Sequence, residues 1–108
     1  MLHIQRSRLL ASAVPEYILR HQPTRIWPEL IDAVRQAGFS QYIIVHDGPE
    51  LYCCVEVEDT EIAAEVLASS PVASRWLDSL KPFMDVKDHQ RPWQHLDTVF
   101  DLTWSEFQ

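Results

Sequence analysis

Residues 40–57 read SQYIIVHDGPELYCCVEV. Two runs rich in β-branched and aromatic residues, Ser40 to His46 and Leu51 to Val57, flank the turn-forming stretch His46-Asp47-Gly48-Pro49-Glu50. Such side chains suit a pleated, half-buried surface, and Gly with Pro supplies the dihedral angles that reverse a chain, so the stretch predicts a β-hairpin. Upstream, Leu2 to Leu10 alternates weakly and predicts a first strand. Ser12 is an expected helix N-cap, with Pro15 and Glu16 in the first turn of a helix that carries Tyr17 and His21 and stops near Pro23. Trp27-Pro28-Glu29-Leu30 opens a second helix, whose apolar stripe is Leu30, Ile31 and Val34 and whose end is Gly38. Downstream, Glu61 to Ser69 and Val72 to Leu80 have helical spacing, Asp85 to Trp93 is polar and loop-like, and Leu96 to Leu102 has the length and alternation of a closing strand.

The resulting order is strand, helices, two strands, helices, strand. It is the split β-α-β pattern of a ferredoxin-like α+β sandwich, with helices on one face of an antiparallel sheet and the other face open. A single domain spanning 1–108 is expected. An open face carrying aromatics such as Tyr42 and Tyr52 would leave an apolar patch in water. That favours a homodimer in which two sheets close into a dimeric α/β barrel.

Composition removes several function classes. The 108 residues contain only two glycines, Gly38 and Gly48, so no glycine-rich phosphate cradle or dinucleotide fingerprint can form. The formal charge is −7, and residues 46–65 hold acids without a single Lys or Arg, which argues against nucleic acid as a partner. Arg6, Arg8, Arg20, Arg25 and Arg35 are scattered and read as surface charge. No apolar run approaches the ~20 residues of a membrane span, and the N-terminus lacks the apolar core of a signal peptide, so a cytoplasmic protein is expected. Cys53 and Cys54 are neighbours in a strand and should point to opposite faces as free thiols.

No metal site is expected. His89 and His95 stand six apart in a polar segment, on no common helical face, and read as solvated loop residues; His3 and His46 read as surface residues. Neither a Gly-x-Ser-x-Gly nor a His-Glu-x-x-His motif occurs. Tyr17 and His21 are different, because a spacing of four places them on one helix face one turn apart, with Trp27, Pro28 and Glu29 close behind. Periodicity alone leaves open whether this is a packed helix or a site.

Tyr-Ile-Leu-Arg-His at 17–21 followed by Ile-Trp-Pro-Glu-Leu at 26–30 resembles the Tyr-x-x-x-His and Ile-Trp-Pro-Glu signature of the L-rhamnose mutarotase family. Gln41-Tyr42-Ile43-Ile44 resembles the Asn-Tyr-x-Ile strand of that family. Ser70-Pro71-Val72 through Arg75-Trp76 resembles its Asp-x-Val-x-x-Arg-Trp-Trp segment, and Leu96 to Leu102 its last strand. The resemblance runs in order through nearly the whole chain. It implies an isomerase that interconverts the α and β anomers of a deoxy sugar, most simply L-rhamnose, without a cofactor. It also implies His21 as the proton donor and Tyr17, Tyr42 and Trp76 as sugar-binding residues. This chain departs from the pattern twice: four residues, Gln22 to Arg25, separate His21 from Ile26 where the family usually has two, and Leu77 stands where the family has a second Trp. The alternatives are a mutarotase acting on L-fucose, a sugar-binding domain of the same fold without catalysis, and a fold-related oxygenase or decarboxylase; the last is disfavoured because no cluster of bases would hold an acidic substrate.

Overall fold

The computed structural model describes residues 2–86 and 92–108. Strand β1 (Leu2–Arg8) leads through a 3-10 turn (Ala11–Ala13) into helix α1 (Val14–Arg20). Helix α2 (Pro28–Gln36), the hairpin β2 (Gln41–Asp47) and β3 (Glu50–Glu56), helices α3 (Thr60–Ala68) and α4 (Pro71–Leu80), and a short β4 (Gln94–Leu96) follow. All pairings are antiparallel, in the order β2-β3-β1-β4, as expected for the ferredoxin-like α+β pattern.

The hairpin closes as its composition requires. Asp47 pairs with Glu50 across Gly48 and Pro49, and Gly48 has a φ of 55°, which a residue without a Cβ adopts at little cost. Side-chain alternation then assigns the faces. In β3 Leu51, Cys53 and Val55 are buried beneath the helices, whereas Tyr52 lies on the exposed side. The register pairs Tyr42 with Val55 and Ile44 with Cys53, so Tyr42 belongs to the covered face. The sequence expectation that Tyr42 joins Tyr52 on the open face is therefore corrected. The open face instead displays Leu2, Ile4, Ile43, Val45 and Tyr52, all exposed. Leu9 and Leu51 at the centre of the covered side are almost fully buried, and each such side chain contributes roughly 1.5–3 kcal/mol relative to exposure.

Several boundaries differ from the sequence reading by a residue or two, and three differences have a visible cause or consequence. Ser12 does not cap α1: it lies inside the 3-10 turn, and the N-cap position is Ala13, without a side-chain hydrogen bond. Helix α3 begins at Thr60 because Asp59 caps it, accepting from the backbone N–H groups of Glu61 and Ile62 at 3.0 and 3.1 Å. The closing strand is Gln94–Leu96, not Leu96 to Leu102. In its register Leu96 faces Ile4, and the pairing with β1 stops there. The Asp101 carboxylate then accepts from the backbone N–H of Thr103 at 2.8 Å and from its hydroxyl at 2.6 Å, turning the chain. Val99, Phe100 and Leu102 are left 91%, 63% and 71% exposed.

Cys53 is buried, Cys54 is half-buried on the other side of the strand, and both are free thiols. His46 is exposed; His3 is half-buried, its Nε2 enclosed and without a hydrogen-bond partner among the described residues, so it is less a surface residue than the sequence suggests. His95 is exposed, with its ring 5.9 Å from that of His3, while His89 lies outside the described residues. Among the described residues no helix is long and apolar enough to cross a membrane, and no group of three or more His, Cys, Asp or Glu is placed to hold a metal ion.

Candidate active site

A cavity of about 330 Å³ opens between the covered face of the sheet and the helices. That is near the small end of the ~300–1,000 Å³ range of small-molecule sites. Tyr17, His21, Tyr42 and Trp76 all line it, so the four candidates taken from α1, β2 and α4 converge on one space. Its remaining walls are mainly aliphatic, with Leu30 and Val34 of α2 and Leu77 and Leu80 of α4 among them.

The placement of His21 follows from the way α1 ends. The last carbonyls of a helix lack intrahelical donors. Here the backbone N–H of His21 bonds to the carbonyl of Ile18 at 3.2 Å, which leaves the carbonyl of Tyr17 free. The imidazole fills the vacancy: its Nδ1 lies 2.6 Å from that oxygen. A carbonyl can only accept, so Nδ1 carries the proton, and in the neutral ring Nε2 keeps its lone pair. Burial is the largest influence on His21 and lowers its pKa from 6.5; the Tyr17 carbonyl opposes the shift and the neighbouring Arg20 charge adds to it. The resting side chain at neutral pH is thus a neutral base of fixed tautomer.

Packed rings hold this imidazole. Its centroid lies 4.3 Å from that of Tyr17 and 5.3 Å from that of Trp76, the latter at an interplanar angle of 80°. Trp27 stands behind Trp76, 5.1 Å away at 77°, and supports the wall without lining the cavity. The longer connection after His21 does not prevent this contact, because the backbone N–H groups of Arg25 and Ile26 both bond to the carbonyl of Gln22 at 2.9 Å and fold the extra residues into a compact turn. Arg20 is directed away from the cavity, toward Glu16, the Ser79 carbonyl and the Phe83 ring.

The tyrosines stay protonated. Burial, with Cys53 nearby, pushes Tyr17 up to about 12. Tyr42 is 44% exposed by area, yet burial, followed by the nearby Cys53, pushes its pKa up as well. Phe39 braces the Tyr42 ring at 5.2 Å. Burial raises the Cys53 thiol to about 11, with Tyr42 opposing, so this enclosed sulfur stays a protonated thiol rather than a nucleophile.

One aromatic residue of the cavity escaped the sequence reading. Trp93 lines the cavity although it ends a polar segment that reads as a loop; a Trp in such a segment was the available signal.

A small antiparallel α+β fold thus gathers one neutral imidazole, protonated tyrosines and a tryptophan face around a cavity of small-molecule size. Comparison with protein-family models matches residues 3–102 to L-rhamnose mutarotase. The chain belongs to the L-rhamnose mutarotase family, and is by that membership an isomerase-class enzyme, a sugar mutarotase. It is 36% identical over 90 residues to L-rhamnose mutarotase of Pectobacterium atrosepticum, covering 81% of this chain and 84% of that one. It is also 26% identical over 99 residues to L-fucose mutarotase of Xanthomonas campestris pv. campestris, covering 86% and 79%. The crystal structure of an L-rhamnose mutarotase from Formosa agariphila has the same fold, with a TM-score of 0.75 at 24% identity over 94% of this chain and 97% of that one.

Proposed function

We propose that this protein interconverts the α and β anomers of L-rhamnose, with His21 carrying the proton. Ring opening moves one proton: it leaves the anomeric hydroxyl, the bond from the anomeric carbon to the ring oxygen breaks, and the ring oxygen is protonated. Both oxygens are attached to the same carbon, so one nitrogen can serve both. Nε2 of neutral His21 takes the anomeric proton as base, and the imidazolium so formed is the donor to the ring oxygen. Rotation about the first carbon–carbon bond of the open aldehyde, followed by the reverse transfer, gives the other anomer. Acid–base catalysis by a positioned side chain contributes on the order of 10² to 10⁴ in rate. No cofactor is needed for this sequence.

Tyr17 and Tyr42 remain neutral and supply hydroxyls to the polar edge of the sugar, while Trp76 offers its ring to the C–H face. The observation that carries the proposal is the hydrogen bond from His21 to the Tyr17 carbonyl, which leaves Nε2 as the group able to move a proton. Exchange-transfer NMR of L-rhamnose with and without the protein tests it: accelerated anomer exchange supports the reading, and an unchanged rate overturns it. L-Fucose is the second substrate to measure, because a relative is an L-fucose mutarotase and because Leu77 lines the cavity where the family pattern has an indole. Binding of either sugar without faster exchange would select a domain that has lost catalysis.

The open sheet face supports a homodimer. Leu2, Ile4, Ile43, Val45 and Tyr52 form one exposed apolar surface on three adjacent strands, and a second copy of the same face is its simplest cover.

A further inference from the structure

We propose that Trp93 is a sugar-stacking residue that sets the affinity of the site. This rests on the functional reading above and adds a residue to it. Trp93 immediately precedes β4, on one edge of the sheet, yet it lines the same cavity as Tyr42 and Ile44 of β2, on the opposite edge. The indole therefore reaches across the covered side of β1 and β3, packing beside both core clusters while remaining half-buried.

The other aromatic rings of the cavity are already engaged. Tyr17 lies against His21, His21 against Trp76, Trp76 against Trp27, and Tyr42 against Phe39. Among the described residues Trp93 pairs with no other aromatic ring, and the half-buried indole lines the cavity without a ring partner of its own. An aromatic face toward a small polar ligand favours a C–H-rich surface, which deoxy sugars present. Leu77 adds a consideration from α4: it is 52% exposed and gives the cavity an aliphatic wall. Trp93 supplies, from the loop before β4, an indole that α4 does not.

A purely structural Trp93 would lower stability when truncated without altering sugar affinity. The test is steady-state anomer exchange with L-rhamnose and with L-fucose, using wild type, Trp93→Ala and Trp93→Phe, together with the ¹⁹F spectrum of the full chain labelled with 5-fluorotryptophan. Stacking of this kind predicts that Trp93→Ala raises KM by about tenfold with kcat little changed, and that Trp93→Phe, which keeps an aromatic face, recovers most of the loss. The ¹⁹F resonance missing from Trp93→Phe identifies Trp93 and should shift when sugar saturates wild type. An unchanged KM in Trp93→Ala, or an unmoved Trp93 resonance, overturns the assignment while leaving the mutarotase reading intact. If Trp93→Ala lacks a cooperative thermal transition, the wild-type resonance decides. Wild type that accelerates exchange of neither sugar would instead fail the functional reading itself.

Discussion

His21 donates from Nδ1 to the carbonyl oxygen of Tyr17, 2.6 Å away, and the two rings also pack together, centroids 4.3 Å apart and planes tilted by 33°. Backbone and side chain of one residue thus set the tautomer and orientation of the other, a turn later on the same helix. Because burial lowers the His21 pKa, the neutral ring dominates at pH 7. The protein-dependent exchange rate, after subtraction of the spontaneous rate, is expected to be flat from pH 7 upward and to fall on acidification, with a midpoint below the ordinary ~6.5. A rate that rises as the pH drops through 6 would show that the imidazolium is the required resting form. Stability follows the same sign. The folded state binds the proton less readily than the unfolded chain, so the contribution is full above ~6.5 and is lost as pH falls from there toward the folded value.

Tyr42 lines the cavity, and burial keeps its hydroxyl protonated. Tyr42→Phe removes one neutral hydrogen bond and keeps the ring that Phe39 braces. KM for the sugar is expected to rise roughly threefold to tenfold, the size of one such bond, with the melting temperature nearly unchanged. Saturation kinetics by exchange NMR check this; an unaltered KM would remove Tyr42 from the binding set.

Ile43 and Val45 project from the open face and are at least half exposed in the single chain. Ile43→Lys should shift a dimer toward monomer in sedimentation equilibrium, because two like charges would meet across the two-fold interface. Wild type that sediments as a monomer at tens of micromolar would contradict the dimer.

Asp59 caps α3 with two accepted hydrogen bonds and does not itself line the cavity. Asp59→Ala is expected to cost about 1 kcal/mol, a fall of about 4–8 °C in melting temperature for a domain near this size. Calorimetry checks it, and kcat should stay at the wild-type value.

Much of the fold was legible because its signals are local. The Gly48-Pro49 turn and its flanking β-branched runs fix the hairpin, and Pro28 and Pro71 open α2 and α4 in their first turns, as their missing N–H allows. What was not legible depends on pairing. Leu96 to Leu102 alternates like a strand, but its pairing with β1 ends at Leu96, and alternation alone does not show where a ladder stops. The facing of Tyr42 needed the register on Val55, since one residue of slip moves a strand's side chains to the other face. Ser12 has the right chemistry for a cap, yet the chain enters α1 through a 3-10 turn that includes it. In the site, the Tyr17–His21 spacing predicted a shared face, and the family resemblance singled out Tyr42 and Trp76 as companions. Trp93 was hidden because its neighbours are polar and its approach to the cavity crosses the sheet.

The most direct test is anomer exchange with His21→Asn, which keeps the bulk and polarity of the side chain but cannot carry the proton. With L-rhamnose and wild type at the same concentration as reference, saturation-transfer NMR is expected to show exchange falling to the protein-free rate while the thermal transition persists. Full acceleration by His21→Asn would contradict the account.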